Sequence, residues 1–243
     1  MGIYTDQITN EVRLEYMMPT DIDAALDSNP SIYVPFGSIE WHGLHNTVGL
    51  DSVKAHEQLI GLALKAGGVV YPSVFFGSGG RHKPFPHTYM VDKDPMVSMV
   101  FQLLEGFDRN GYKNVILLSG HYPNRGEYLE EAIERYRDGG GEMRIMTRVE
   151  CEIDGVGGDH AAKYETSSMM FLHPECVDMS RIDFEPKDDG GPEERIDYMP
   201  PEYKDHPLYG LVGIDPRVHA TVECGRQTAE SLIDFFADWL KEA

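Results

Sequence analysis

The stretch SIYVPFGSIEWHGLHNTVGLD, residues 31–51, sets the pattern that the rest of the chain follows. It opens with a mostly apolar run, which predicts a buried strand. A helix is predicted next, with Asp51 or Ser52 as its N-cap and with Gly67 or Gly68 ending it. The chain therefore begins with a strand followed by a helix.

Short apolar runs and longer amphipathic runs keep alternating after this unit. The predicted strands cover residues 69–76, 114–120 and 142–149, and the predicted helices cover residues 95–110, 124–140, 163–173 and 221–243. This order predicts a three-layer α/β/α fold whose central sheet is mostly parallel. In such a sheet, ligands bind at the carboxyl ends of the strands.

The chain is predicted to form one domain over residues 1–243, because 243 residues can bury one large core. Residues 184–210 are rich in Pro, Asp and Glu and have little periodicity. We interpret them as a surface excursion or a lid, since the chain beyond them is too short for a second core.

The charge balance argues against whole classes of partner. With 41 acidic and 21 basic residues, the net charge is −20, which repels nucleic acid and anionic membrane surfaces. The three cysteines form no C-x-x-C pair, and neither a signal peptide nor a membrane span is apparent. We expect a cytoplasmic protein that acts on a small molecule.

Ligand-type side chains gather at three predicted strand ends. Glu40 and His42 follow the first strand on the same side, and His121 follows the strand that ends at Gly120. His160 and Glu165 flank the start of a later helix. Each residue also has a structural explanation: Asp51 suits an N-cap, His121 suits a hydrogen-bonded histidine, and Glu165 suits the helix dipole.

Histidines and carboxylates without thiolates are typical ligands of a catalytic zinc or manganese ion, and a carboxylate can bridge two ions. The competing patterns are incomplete, because the chain has neither a G-x-S-x-G elbow nor a G-x-x-x-x-G-K-[ST] loop. The GSGG turn at residues 77–80 is a weak signal for phosphate binding. We interpret it as a turn that brings Ser78 and His82 to the substrate.

Four segments together resemble the creatininase (creatinine amidohydrolase) family. They are VPFGSIEWHGLHNTVGLD, GSGGRHKPFPHTYMV, LSGHYPN and DHAAKYETSSMMFLHPECVDMS, and GIDPRVHATVECGR is similar to the family's C-terminal segment. The resemblance implies a metal-dependent amidohydrolase of three-layer α/β fold. It also implies a homo-oligomer, often a hexamer.

The resemblance also implies roles for single residues. Glu40, Asp51 and His121 match the ligands of one ion, and His42 matches a ligand of a second ion that Asp51 bridges. His160 matches a catalytic acid or base. Tyr122 matches a tyrosine that contacts the substrate.

Two positions depart from the family pattern. Pro123 stands where creatininase has a glutamate ligand of the second ion, so either Glu165 replaces that ligand or the second ion is weakly held. His87 stands where the family usually has glycine, and it could shape the substrate pocket. Pro123, together with the lack of tryptophan near residues 155–159, argues against creatinine as the substrate.

The resulting hypothesis is a hydrolase with two divalent ions, zinc or manganese, with iron as a further option. A hydroxide shared by the ions would attack a carbonyl, and His160 would give a proton to the leaving nitrogen of a cyclic or linear amide. One alternative is hydrolytic ring opening of a cyclic diketone in inositol breakdown. Another is a metal-binding protein on the same fold without turnover. The sequence leaves open the substrate, the metal at each position and the size of the oligomer.

Overall fold

The computed structural model describes residues 2–183, 195–197, 199 and 201–242. Its helices are α1 (Pro19–Ser28), α2 (Leu50–Ala66), α3 (Lys93–Arg109), α4 (Asn124–Glu127), α5 (Leu129–Asp138), α6 (Lys163–Leu172), α7 (Pro216–His219) and α8 (Val222–Lys241). Its strands are β1 (Ser31–Phe36), β2 (Val69–Val70), β3 (Asn114–Ser119), β4 (Arg144–Val149), β5 (Arg195–Ile196) and β6 (Gly213–Ile214). Residues 184–194, 198 and 200, which belong to the segment predicted as a surface excursion or lid, lie outside the described residues.

The central sheet has the order β2-β1-β3-β4, and all its neighbouring strands are parallel. Side chains of β1 alternate between two cores, as the period of a strand requires. Ile32, Val34 and Phe36 pack with α3 and α5 on one face, whereas Tyr33 packs with α2 and α8 on the other. Helices therefore cover both faces, which confirms the predicted three-layer fold.

The strand register brings distant parts of the chain to one edge of the sheet. Phe36 pairs with Ser119, and Ser119 pairs with Val149, so β1, β3 and β4 end side by side. The segments that follow these three strands contain Glu40, His121 and Glu150. The edge predicted to bind a ligand is therefore built from three separate segments.

The start of helix α2 differs from the prediction. Gly49 is the N-cap, and Asp51 lies within the first turn. The prediction of Asp51 or Ser52 as the cap was therefore wrong. The reason is that the Asp51 carboxylate is buried against Ser38, whose hydroxyl donates to Asp51 Oδ2 over 2.7 Å, so it does not bind the helix amides.

The helix predicted over 124–140 is broken. Arg125 has ψ 135° and Gly126 has φ 78°, which separates α4 from α5. Asn124, where the predicted helix begins, does not act as the N-cap of α4. Its buried side chain donates to the carbonyl of Gly37 and accepts from the amide of Ser78, and so ties three loops together.

Three further elements depart from the sequence prediction. Strand β2 has only two residues, because Pro72 lacks the N–H that a longer ladder needs. Helix α1 was not predicted. Within the described part of 184–210, Leu208 and Tyr209 are buried, and Tyr209 stacks on Phe85. None of the described helices has the length and apolar character to cross a membrane.

Candidate metal centre

Two glycines let helix α2 approach the ends of β1 and β3 closely. A Cβ at Gly37 would lie 2.2 Å from the backbone nitrogen of Ser52. A Cβ at Gly120 would lie 2.2 Å from the carbonyl oxygen of Asp51. No other residue fits these contacts without moving the main chain. The backbone therefore sets the distance between Asp51 and the residues after β1 and β3.

Glu40, Asp51 and His121 form a first group of buried ligand-type side chains whose ligand atoms lie within 4.8 Å of one another. Nδ1 of His121 lies 2.7 Å from Oε2 of Glu40 and 3.4 Å from Oδ2 of Asp51. The Nε2 atom of His121 is buried and has no hydrogen-bond partner among the described residues. The group offers two carboxylates and one imidazole to a cation.

His42, His160 and Glu165 form a second group, which is also within 4.8 Å. Nε2 of His42 lies 3.6 Å from Oε2 of Glu165 and 3.0 Å from Oδ1 of Asp51. Asp51 thus stands between the two groups, with one oxygen facing each. This is the position of a bridging carboxylate.

The tautomer of His42 follows from its backbone contact. Nδ1 lies 3.0 Å from the carbonyl oxygen of Glu40, and only an N–H can bond to that oxygen. In the neutral ring, Nε2 then carries the lone pair and faces Asp51. Nε2 is buried and makes no hydrogen bond within the described part of the chain. A lone pair among carboxylate oxygens suits a divalent cation placed between them.

The charges of the centre call for a cation as well. Burial lowers the pKa of His42, but the carboxylates of Asp51, Glu165 and Glu40 outweigh burial and raise it to about 9. Burial acts likewise on His121, whose hydrogen bonds to Asp51 and Glu40 raise its pKa to about 10. In the metal-free protein, the protonated rings of His42 and His121 therefore compensate the negative charge of the carboxylates, as metal ions would do when bound.

His160 has the opposite environment. Burial, helped by the neighbouring charge of His42, lowers its pKa to about 3, so the ring is neutral at pH 7. Its Nε2 lies 2.8 Å from the carbonyl oxygen of Trp41, and its ring stacks on His82 with centroids 3.7 Å apart. Nε2–H therefore donates to Trp41, and Nδ1 keeps its lone pair. His160 is held where it can accept a proton.

A cavity of about 430 Å³ opens onto both groups. Among the residues predicted for the site, it is lined by Glu40, Asp51, His82, His121, Tyr122, His160 and Glu165. His42 lies behind this surface and is fully buried. The hydroxyl of Tyr122 is buried and has no hydrogen-bond partner among the described residues.

The other predicted substrate contacts lie in different places. His82 contacts Glu40, with Nδ1 3.2 Å from Oε1. Ser78 is buried, and its amide binds Asn124. His87 is exposed and has φ 56°, a left-handed conformation that suits the glycine expected there. Neither Ser78 nor His87 is among the described residues that line the cavity.

Sequence reasoning missed a buried charged network beside the second group. Lys54, Glu150 and Gln58 are all buried there. Lys54 lies one turn after Asp51 on α2, and Glu150 directly follows β4 at the edge predicted to bind a ligand. Asp159, whose pKa burial raises to about 6, also lines the cavity and was missed. The position of Glu150 at a strand end was the signal that could have found this network.

Comparisons with known proteins identify the family of this chain. A family model described as creatininase, creatinine amidohydrolase, matches residues 15–240. Creatinine amidohydrolase of Pseudomonas putida is 23% identical over 211 residues, which cover 76% of this chain and 74% of that protein. The mycofactocin precursor peptide peptidase of Mycolicibacterium smegmatis is 28% identical over 157 residues, or 61% of this chain and 60% of that protein.

A third relative is the 3-dehydro-scyllo-inosose hydrolase of Thermotoga maritima, which is 26% identical over 121 residues, 49% of this chain and 36% of that protein. Among solved structures, one of creatinine amidohydrolase superposes with a TM-score of 0.78 at 20% identity, covering 96% of this chain and 98% of the other. A structure described as "Creatininase Mn" gives 0.78 at 21% identity with the same coverage. Since the family model spans nearly the whole chain, the chain belongs to the creatininase family of hydrolases.

Proposed function

We propose that the protein is a metal-dependent amidohydrolase that cleaves the C–N bond of a cyclic or linear amide other than creatinine. The observation that carries this proposal is Asp51, whose two oxygens face two separate groups of ligand-type side chains. Two divalent ions bound there would polarise a carbonyl and lower the pKa of water. Glu40, Asp51 and His121 would hold one ion, and His42, Asp51 and Glu165 the other.

The remaining residues of the site have roles in proton transfer and orientation. Nδ1 of His160 carries a lone pair, so it can take a proton from the attacking water and return it to the leaving nitrogen. The hydroxyl of Tyr122 has no hydrogen-bond partner among the described residues, and it is free to donate to the substrate. Glu40, Asp51, His121 and Glu165 are buried, which strengthens these electrostatic interactions.

The lining of the cavity supports a substrate other than creatinine. Pro123 offers no carboxylate, and the described residues that line the cavity include Gly158, Asp159 and Val212 but no tryptophan. Trp41 is turned away, because its ring nitrogen donates to the carbonyl of Tyr209 over 2.7 Å. The chain is also similar to a precursor peptide peptidase, whose peptide substrate is larger than a small cyclic amide.

A second candidate function is the hydrolytic ring opening of a cyclic diketone. It is favoured by the likeness to the 3-dehydro-scyllo-inosose hydrolase. The same groups would attack a ketone carbonyl, and a carbon would leave in place of nitrogen. In that case His160 would return its proton to carbon.

Metal analysis tests the proposal directly. The wild type should hold two equivalents of zinc or manganese per chain, and Glu165→Ala should hold about one, because its second group loses a ligand. Glu105→Gln is the matched control, since Glu105 is exposed on α3 and belongs to none of the candidate metal groups among the described residues. One equivalent or none in the wild type would contradict a dinuclear centre.

A substrate screen then separates the functions. Cyclic and linear amides and cyclic diketones are offered to the metal-loaded protein and to Asp51→Asn. Amide turnover that Asp51→Asn loses supports the amidohydrolase. Turnover of diketones alone supports the second candidate, and turnover of neither class supports a metal-binding protein without catalysis.

A further inference from the structure

Lys54 is the one lysine among the described residues that has no exposed surface. It follows Asp51 by three residues on α2, so both side chains project from the same side of the helix. Within one turn of α2, Asp51 therefore places a carboxylate next to both metal groups, and Lys54 places an ammonium beside the second group. A lysine at this position is unexpected, because lysine is almost never fully buried unless it is paired.

The ammonium of Lys54 is held between two carboxylates. Nζ lies 2.5 Å from Oε2 of Glu150 and 3.2 Å from Oε1 of Glu165. The other oxygen of Glu150 accepts from the amide nitrogen of Gln58. Burial lowers the pKa of Lys54, but the charges of Glu150, Glu165 and Asp51 outweigh it and raise that pKa, so the side chain stays charged.

Glu165 is the carboxylate that joins Lys54 to the second metal group. The two oxygens of Glu165 face different partners: Oε1 contacts Lys54, whereas Oε2 lies 3.6 Å from Nε2 of His42 and accepts from the amide of Ala161 over 2.7 Å. Lys54 thus fixes one oxygen, and the carboxylate plane then directs the other towards the second metal group.

The first group has no comparable support from a lysine. The described contacts of Glu40 are to Ser38, His82 and His121. Removal of Lys54 should therefore affect the two metal positions unequally. A general loss of packing would affect both.

We propose that Lys54 is a positioning residue for the second metal position, where it fixes the Glu165 carboxylate opposite His42. This inference rests on the proposed role of Glu165 as a ligand of the second ion. Partners of metal ligands commonly contribute 10- to 100-fold to metal affinity, because they hold the ligand in one orientation.

The test is a calorimetric titration of the metal-stripped protein with Zn²⁺. In Lys54→Met, the second equivalent should bind about 10- to 100-fold more weakly than in the wild type, while the first is unchanged. Lys54→Arg keeps the charge and should recover part of the loss. Lys65→Met is the matched control, because Lys65 lies on the same helix but is exposed and pairs with Asp234; both of its binding steps should be those of the wild type.

A second variant covers the case in which Lys54→Met fails to fold with Glu150 left unpaired. Lys54→Met/Glu150→Gln removes the buried pair together and keeps the net charge of the network, and it should show the same selective loss. Equal weakening of both steps, unchanged affinities or a tighter second step would each overturn the role of Lys54. A wild type that binds only one ion would overturn both this role and the dinuclear centre, whereas two ions with unchanged Lys54 variants would overturn the role of Lys54 alone.

Discussion

Nε2 of His42 lies 3.0 Å from Oδ1 of Asp51, and both side chains are buried. The other oxygen of Asp51 lies 3.4 Å from Nδ1 of His121. The Asp51 carboxylate therefore joins the two halves of the candidate metal centre. Substitution of Asp51 should therefore affect both metal positions, whereas substitution of a residue in one half should affect one position.

Asp51→Asn should weaken both metal positions together. Asparagine keeps the size of the side chain but removes the negative charge and one acceptor oxygen. We expect metal affinity to fall at least about 100-fold at both positions, the upper end of what loss of a ligand's partner costs. Elemental analysis after dialysis measures this, and Glu105→Gln, at an exposed position outside the candidate metal groups, is the control. Retention of two tightly bound ions would contradict the bridging role.

Metal affinity should rise with pH. In the metal-free protein, the pKa of His42 is raised from 6.5 to about 9 and that of His121 to about 10, so both rings are protonated at pH 7. An incoming ion must displace these protons, and affinity should increase up to about tenfold per pH unit for each proton released between pH 7 and 9.

The same shifts affect the stability of the metal-free protein. A raised histidine pKa stabilises the fold fully below pH 6.5, and this stabilisation is lost as the pH rises through about 9.

Calorimetry in buffers with different ionisation enthalpies counts the protons released on zinc binding. Binding without proton release at pH 7 would contradict the protonation of these rings.

Gly120→Ala should damage the centre through the main chain. Its Cβ would lie 2.2 Å from the carbonyl oxygen of Asp51, so β3 and α2 must separate. We expect a loss of about 2–3 kcal/mol in the free energy of unfolding, together with weaker metal binding. Gly106→Ala is the control, because its Cβ would meet only the Arg109 side chain at 3.9 Å within helix α3. This control should gain up to about 1 kcal/mol in stability. Denaturant unfolding of both variants measures the difference.

His87→Gly should stabilise the protein. His87 adopts φ 56°, which costs a side-chain-bearing residue about 1–2 kcal/mol and costs glycine little. Lys83→Gly, at an exposed position without a positive φ in the same loop, should instead lose a few tenths of a kcal/mol or nothing. Thermal melts compare the two. The KM of the substrate found in the screen adds a second readout: an unchanged value places His87 outside the pocket, and a changed value would support its predicted role in substrate choice.

Much of the fold could be predicted because its strands are continuous apolar runs. The positions of β1, β3 and β4 follow from these runs, and the rule for parallel sheets places Glu40, His42 and His121 near one edge. Helices α2, α3, α6 and α8 follow from periodicity. The resemblance to the family gave Asp51 its bridging role, and the departure at Pro123 pointed to Glu165, whereas spacing alone could not distinguish either residue from a helix-start residue.

The features that escaped prediction depend on contacts between distant segments. Lys54 has the sequence context of an ordinary helix residue, and its burial depends on Glu150, which lies far along the chain. Asn124 is a residue type that often caps helices, but its side chain donates to the carbonyl oxygen of Gly37 instead. Gly126 breaks a helix that periodicity extends. For Lys54 and Asn124, a tertiary contact overrides a local preference, whereas the break at Gly126 comes from its own left-handed conformation.

Because Gly120 lies so close to the backbone of Asp51, the floor and the rim of the cavity differ in how well they tolerate substitutions. The floor is fixed by main-chain contact, so substitutions there disturb the distance between strand and helix. The rim comes from the loops that contain Arg81, Cys151 and Val212, whose side chains line the cavity without taking part in that contact. New substrate ranges can therefore be engineered by exchanging rim side chains while the chemistry of the floor is left unchanged.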